Sequence, residues 1–344
     1  MLTAAHFELS KKKVLEKYVA LQPLCDIVSY SHKTNPEISK ILSKETKCMF
    51  SVHTVEDIPG LDPARLWFFA QAWDKKELDL LFQKKVSRFV VDNKSDLDIL
   101  LSYIKRKKGK TDLLLRMKLK ENTVHTGKHY VYGMHSDEVN TILKELRKNK
   151  SIGLLGIHFH RKTQNVSEWG LIEELEDSIE EENWKNIDFV NIGGGIPSLY
   201  KNFSESAIIG IFDKIKELKA WLNTKGAKVI IEPGRYIASY PVKLVANVKA
   251  VYDDNLVIDC SVYNAAMDTF VAHIRLIVEG ELEEGEGIPY IIKGCTPDSM
   301  DIFRYRVYLN KVKPGDKIVF LNAGAYTYTT DFCNLPKLKT VLVD

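Results

Sequence analysis

The sequence lacks a dominant sign of charge: 49 Lys and Arg stand against 46 Asp and Glu, a net of +3. That balance argues against a nucleic-acid or anionic-membrane partner. It also lacks any apolar run near the roughly 18 residues of a membrane helix. The opening MLTAAHFELSKKK has no apolar signal-peptide core, so a cytoplasmic location is expected. Cysteine is scarce, five in 344 residues (Cys25, Cys48, Cys260, Cys295 and Cys333), with no CxxC pair or zinc spacing. These are expected to be reduced thiols, and no metal site is expected. No repeat, low-complexity tract or Gly/Ser linker divides the chain.

The 45% hydrophobic and 28% charged fractions fit a soluble globular protein. Between residues 27 and 235 eight apolar or β-branched runs recur: IVSYS, KCMFS, RLWFFA, RFVVD, DLLLRMKL, LLGIHFH, DFVNIGGG and KVIIEPGR. Segments with apolar residues three and four apart, such as PEISKILSKE and SDEVNTILKELRKNK, separate most of them and read as helices. Eight strands joined by helical crossovers predict an α/β fold, a closed (β/α)₈ barrel over residues 27–240, in preference to an open doubly wound sheet. Beyond residue 240, VKLVANVKAVY, NLVIDCSVY, HIRLIVEGELE, IPYIIKG, KIVFLNAGAYT and KTVLVD alternate with turn signals. They predict a mainly antiparallel β domain over residues 241–344. The short segment 1–26 holds AAHFEL, a candidate to join that domain.

In such barrels functional groups gather at the carboxyl ends of the strands. Run 7 ends in Gly193, Gly194 and Gly195, which permit close backbone approach to an anion, and run 8 ends in Glu232-Pro233-Gly234-Arg235. Either feature alone reads as an ordinary turn or surface charge; their joint placement suggests a phosphate cradle. Run 6 ends in His158-Phe159-His160, whose two imidazoles share a strand face. They could bind zinc, but no third ligand sits at telling spacing, and a satisfied structural pair is the alternative to a functional one. Run 1 ends in His32-Lys33-Thr34-Asn35, placing a lysine at the mouth. A lysine, a phosphate cradle, an imidazole and a carboxylate at one rim are the parts needed to hold pyridoxal phosphate.

These residues resemble the alanine-racemase-type (fold type III) barrel decarboxylases that use pyridoxal 5′-phosphate, the family of ornithine, lysine and diaminopimelate decarboxylases. The resemblance runs from about residue 27 to the C-terminus through YSHKTN, LLLRMKL, GIHFH, IGGGIP, EPGRY, GCTPDSMD and GAYTYTTDF, in the family's order. It implies that Lys33 holds the cofactor covalently, that His160 stacks on its ring and that Glu232 pairs with the ring nitrogen. Gly193 to Gly195 and Arg235 would bind the phosphate, joined by Thr163 and Tyr326, and Arg116 would line the pocket.

The family's catalytic cysteine column, reached across a homodimer interface, holds Pro297 here; Cys295, two positions earlier, is the candidate for that role. Asp298 would bind a distal ammonium, and Asp268 in VYNAAMDTF adds a second anion without an arginine nearby in sequence. Because a buried ammonium needs a partner, this favours ornithine or lysine, decarboxylated to the diamine of polyamine biosynthesis, with active sites shared between two copies. Turn capping is the structural alternative for Asp298. Diaminopimelate or carboxynorspermidine is the alternative substrate, and a non-catalytic regulatory homologue the alternative class. His125, in the segment NTVHTGKHYVYGM, has no clear role.

Overall fold

The computed structural model describes residues 4–69, 71–107, 109–119, 132–160, 162–166, 169–203, 206–326 and 334–344. Two compact units divide the chain: residues 18–197 with 207–234, and residues 1–17 with 198–206 and 235–344.

The first unit is a closed parallel barrel of eight strands, β2 (Ile27–Ser31), β3 (Met49–Val52), β4 (Leu66–Phe69), β5 (Arg88–Val91), β6 (Thr111–Arg116), β7 (Ile152–His158), β8 (Phe189–Asn191) and β9 (Lys228–Ile231). β9 closes on β2 through the register Ile27↔Ile230 and Val28↔Ile231. Each predicted run supplies one of these strands, and closure replaces the alternative of an open sheet.

A shared apolar cluster explains why the barrel is packed solid. Trp67, Val90, Leu114, Phe189 and Ile230, from β4, β5, β6, β8 and β9, meet with Ile27, Met49 and Phe69 against them. β7 contributes Gly156, where a Cβ would run into the Phe189 carbonyl and the Leu114 side chain. A glycine on one strand thereby makes room for the large residues of its neighbours, the size alternation that fills a barrel to interior density.

Helix starts are set by side-chain caps of the kind that satisfy free N–H groups. Asn35 caps the helix Pro36–Glu45, Asp74 caps Lys75–Gln83 and Asn93 caps Lys94–Ile104. No helix among the described residues is long and apolar enough to cross a membrane.

The second unit is a mixed eight-stranded sheet in the order β12 (Ile277–Val278), β15 (Lys317–Leu321), β10 (Val242–Tyr252), β11 (Asn255–Ile258), β13 (Ile288–Lys293), β14 (Ile302–Leu309). β1 (His6–Leu9) pairs antiparallel with β10 and parallel with β16 (Lys339–Leu342). The strand-like stretch HIRLIVEGELE shrinks to the two residues of β12, since His273 (φ 51°) and Gly280 (φ 78°) turn the chain on either side.

Candidate active site

Lys33 is set by a rigid local structure. β2 ends at Ser31, a 3₁₀ turn covers His32–Thr34, and Asn35 accepts the Glu37 N–H at 3.1 Å while Pro36 opens the helix. His32 Nδ1 meets Ser39 Oγ at 2.9 Å and ties the turn to that helix. Thr34 is buried beneath it, and a Cβ on Gly234 would collide with its hydroxyl. Gly234 therefore lets the Lys33 turn pack onto the chain that leaves β9. The Lys33 side chain itself is exposed.

Glu232, one residue past β9, is 7% exposed and held by three donors. Its Oε1 accepts from Ser51 Oγ at 2.7 Å and from Asn191 Nδ2 at 2.9 Å. Its Oε2 lies 3.3 Å from His158 Nε2. Ser51, its proton committed to Glu232, takes a bond from Ser29 Oγ at 2.8 Å, which continues the relay across β2 and β3.

Burial works to raise the Glu232 carboxyl, but His158 and the bonds from His158, Ser51 and Asn191 outweigh it and hold it below the ordinary carboxylate range. Burial likewise lowers His158 and favours its uncharged ring. The geometry decides for a neutral imidazole: among the described residues His158 Nδ1 is buried with no partner, and a proton there would be an unsatisfied donor. The Ser51 and Asn191 bonds keep Glu232 anionic without a charged ring.

His160 and the glycine triplet interlock. Gly193 (φ 66°) approaches so closely that a Cβ would lie 2.5 Å from the Phe159 carbonyl and 3.0 Å from His160 Nδ1. The Gly194 N–H donates to His160 Nδ1 at 3.2 Å, and that of Gly193 to Asn191 Oδ1 at 2.9 Å. Two of the triplet's three N–H groups are thus already engaged in fixing the ring and the strand ends. His160 keeps accessible surface although protein surrounds much of it. Desolvation first, then the charges of Arg116 and Lys33, push it down to about 3. Arg116 pairs with Asp92 at 3.3 Å and lies 5.2 Å from the Tyr132 ring centroid. Thr163 is exposed in the loop after β7, which is pinned by the bond from Asn165 N–H to the Gly195 carbonyl at 3.0 Å.

Sequence reasoning missed His53, just past β3. It stacks on Phe69 at 5.0 Å, and Phe69 in turn meets His158 edge-on at 5.1 Å. Burial and then the charge of Lys33 lower His53 to about 4. A lone histidine in SVHTVED carries no motif, so only the fold reveals it.

Among the described residues no group of three or more His, Cys, Asp or Glu side chains is placed to hold a metal ion. The barrel residues fit pyridoxal phosphate instead. An ionised carboxylate with preset donors suits a protonated ring nitrogen, an imidazole with accessible surface suits a stacked ring, and an exposed amine suits an aldehyde.

In the β unit, Arg235 and Asp268, given separate tasks by the resemblance, meet each other. Arg235 Nη1 bonds Asp268 Oδ2 closely, Nη2 reaches Oδ1 at 3.4 Å, and both residues are about 5% exposed. The guanidinium also lies 5.1 Å from the Tyr326 ring centroid, and its Nη1 donates to Tyr200 Oη at 3.3 Å. Cys295 is half-buried, its N–H donating to the Cys260 carbonyl at 2.9 Å, and burial followed by Asp301 raises its thiol. Asp298 is exposed, and its Oδ1 accepts the Met300 N–H at 2.7 Å, the local turn bond common for Asp.

Asp301, which the sequence did not single out, anchors the whole GCTPDSMD loop. It accepts from Val262 N at 2.8 Å, from Thr296 N at 3.0 Å and from Thr296 Oγ1 at 2.6 Å, and packs where a Cβ on Gly294 would be. Cys25 and Cys48 are buried with thiols pushed up to about 12, and Cys260 is raised likewise. His125 and Cys333 lie outside the described residues.

Comparison with known proteins agrees with this architecture. Residues 51–239 match the family described as pyridoxal-dependent decarboxylase, pyridoxal binding domain, and residues 235–324 match its C-terminal sheet domain. The chain is 24% identical over 307 residues to the diaminopimelate decarboxylase of Aquifex aeolicus, covering 83% of this chain and 71% of that one. It is 22% identical over 311 residues to a probable ornithine decarboxylase of Dictyostelium discoideum, covering 80% and 65%. In structure it superposes on a lysine/ornithine decarboxylase of Vibrio vulnificus complexed with putrescine, with a TM-score of 0.82, 21% identity and coverage of 99% and 94%.

Proposed function

The chain belongs to the pyridoxal-dependent decarboxylases, and within that family we propose that it decarboxylates a basic amino acid, ornithine or lysine, to the diamine. The observation that carries this reading is the Glu232 carboxylate, held ionised by Ser51 and Asn191 in the barrel unit that carries Lys33. Pyridoxal phosphate, when bound, supplies the electron sink that takes up the pair released with CO₂. Its ring is an effective sink only with a protonated nitrogen, which an anionic Glu232 favours. Lys33 is the residue assigned to hold the aldehyde covalently, and its 3₁₀ turn, clamped by Ser39 and Gly234, fixes where the amine starts. His160, held by Gly194, offers a flat apolar face to the ring. Its neutrality avoids placing a second cation against a protonated pyridine.

The choice of a basic side chain rests on Asp298, which is exposed on a loop held firmly by Asp301. Asp268 contributes less to that choice than the sequence suggests, since its charge is already matched by Arg235. One observation favours a second reading, diaminopimelate. A cavity of about 660 Å³ in the β unit is lined by Lys201, Arg275 and Arg306 together with Glu281, Glu283 and Glu284. Lys201 faces Glu281 at 3.2 Å and Arg306 faces Glu284 at 3.9 Å, so Arg275 is the cation this lining offers to a second carboxylate outside VYNAAMDTF.

The relatives named above act on different amino acids at nearly the same identity, so likeness does not choose between the readings. Release of CO₂ from ornithine, lysine, arginine, diaminopimelate and carboxynorspermidine chooses. Turnover of ornithine or lysine well above diaminopimelate supports the first reading, and the reverse order supports the second.

We further propose a cytoplasmic homodimer whose copies share active sites, with Cys295 and Asp298 acting on the partner. Mixing Lys33→Ala and Asp298→Ala proteins should then regenerate activity, and verified mixed dimers without any would argue against sharing.

A further inference from the structure

His53 has no task in the account so far, yet its placement is costly unless it has one. Its Nδ1 is buried without a hydrogen-bond partner among the described residues, while the residue as a whole keeps some accessible surface. A buried lone pair left unmatched is tolerated more readily than a buried N–H. The proton therefore belongs on Nε2, the distal nitrogen. The ring cannot swing freely, because it stacks on Phe69 at 5.0 Å with an interplanar angle of 17° and its backbone N–H is tied to Asp57 Oδ2 at 3.3 Å. Four charged groups act on it: Lys33, Glu232, Asp57 and Arg116. A neutral N–H donor is thus fixed within the field of the amine assigned to the cofactor and of the carboxylate assigned to its ring nitrogen.

We propose that His53 is a binding residue for the cofactor, donating Nε2–H to the phenolic oxygen beside the aldehyde carbon that Lys33 engages. This deepens the functional reading above and rests on its assignment of Lys33. The phenolic oxygen is the acceptor on the pyridoxal ring next to the aldehyde, and it carries negative charge when the neighbouring nitrogen is protonated. The oxygen stays anionic when that proton leaves and is then the better acceptor, so a fixed neutral donor would stabilise the deprotonated form more, and the nitrogen joined to Lys33 would give up its proton at lower pH than it otherwise would.

The test is the visible absorption of the purified holoprotein titrated with pH, compared with His53→Phe, which keeps the stack and loses the donor, and His53→Gln, which keeps an N–H. His53→Phe should raise the midpoint of the colour change by about one pH unit, tenfold in the proton equilibrium, while His53→Gln stays near the parent. Should Phe prevent folding, His53→Leu is read in the same way. A Phe or Leu variant that titrates at the parent midpoint, while Lys33→Ala abolishes the band, overturns the role of His53 and leaves that of Lys33 standing. A Lys33→Ala protein that keeps the band overturns both.

Discussion

His158 Nε2 stands 3.3 Å from Glu232 Oε2 while His158 Nδ1 is buried with no partner among the described residues, so the pair is a neutral imidazole donating to a carboxylate. With Ser51 and Asn191 on the other oxygen, Glu232 is ionised before any cofactor arrives. Glu232→Gln should lower kcat by on the order of 10²-fold or more, the scale of losing one preset electrostatic partner, while cofactor retention changes only a few-fold. Single-turnover CO₂ release and bound-cofactor absorbance check this. An unchanged kcat would contradict it.

The eight barrel strands were legible because most pair a short apolar run with a helix of three- and four-residue period, and Glu232, Lys33 and the glycines because they end those runs. Other features depend on pairings that sequence distance hides. Arg235 and Asp268 are separated by 33 positions and look like independent charges until the fold joins them. Asp298 and Asp301 sit in one motif with the same side chain, yet one caps a turn at the surface and the other is buried with three donors. His53 is one imidazole without a spacing partner, so its role depends on Phe69 and the β3 terminus.

Asp301→Ala should destabilise the protein by about 3 kcal/mol or more. It strands the Val262 and Thr296 donors in a buried site, at roughly 1–3 kcal/mol for each unsatisfied group. Urea unfolding measures it; a loss under about 1 kcal/mol would mean that Asp301 does not anchor the loop.

The Arg235–Asp268 pair predicts strong coupling. Each of Arg235→Met and Asp268→Leu leaves a buried charge alone and should cost about 3–5 kcal/mol, whereas the double variant should recover most of the loss. Additive losses in urea unfolding would show that the two charges are satisfied separately.

Acid should weaken the cofactor-free protein partly through His53. Its folded value of about 4 lies below the ordinary 6.5, so as pH falls from 6.5 through 4 the unfolded chain binds a proton that the folded one refuses, and stability drops. The fall in urea midpoint between pH 7.5 and pH 5 should therefore be smaller in His53→Phe than in the parent. An equal fall would show that His53 is not held neutral.

The central claim is that Lys33 carries the cofactor, and the most direct measurement is reduction of the holoprotein with borohydride followed by proteolysis and mass spectrometry. The expected result is a pyridoxyl adduct on the peptide containing Lys33, absent from Lys33→Ala. An adduct confined to another lysine, or one that survives the substitution, would contradict the account.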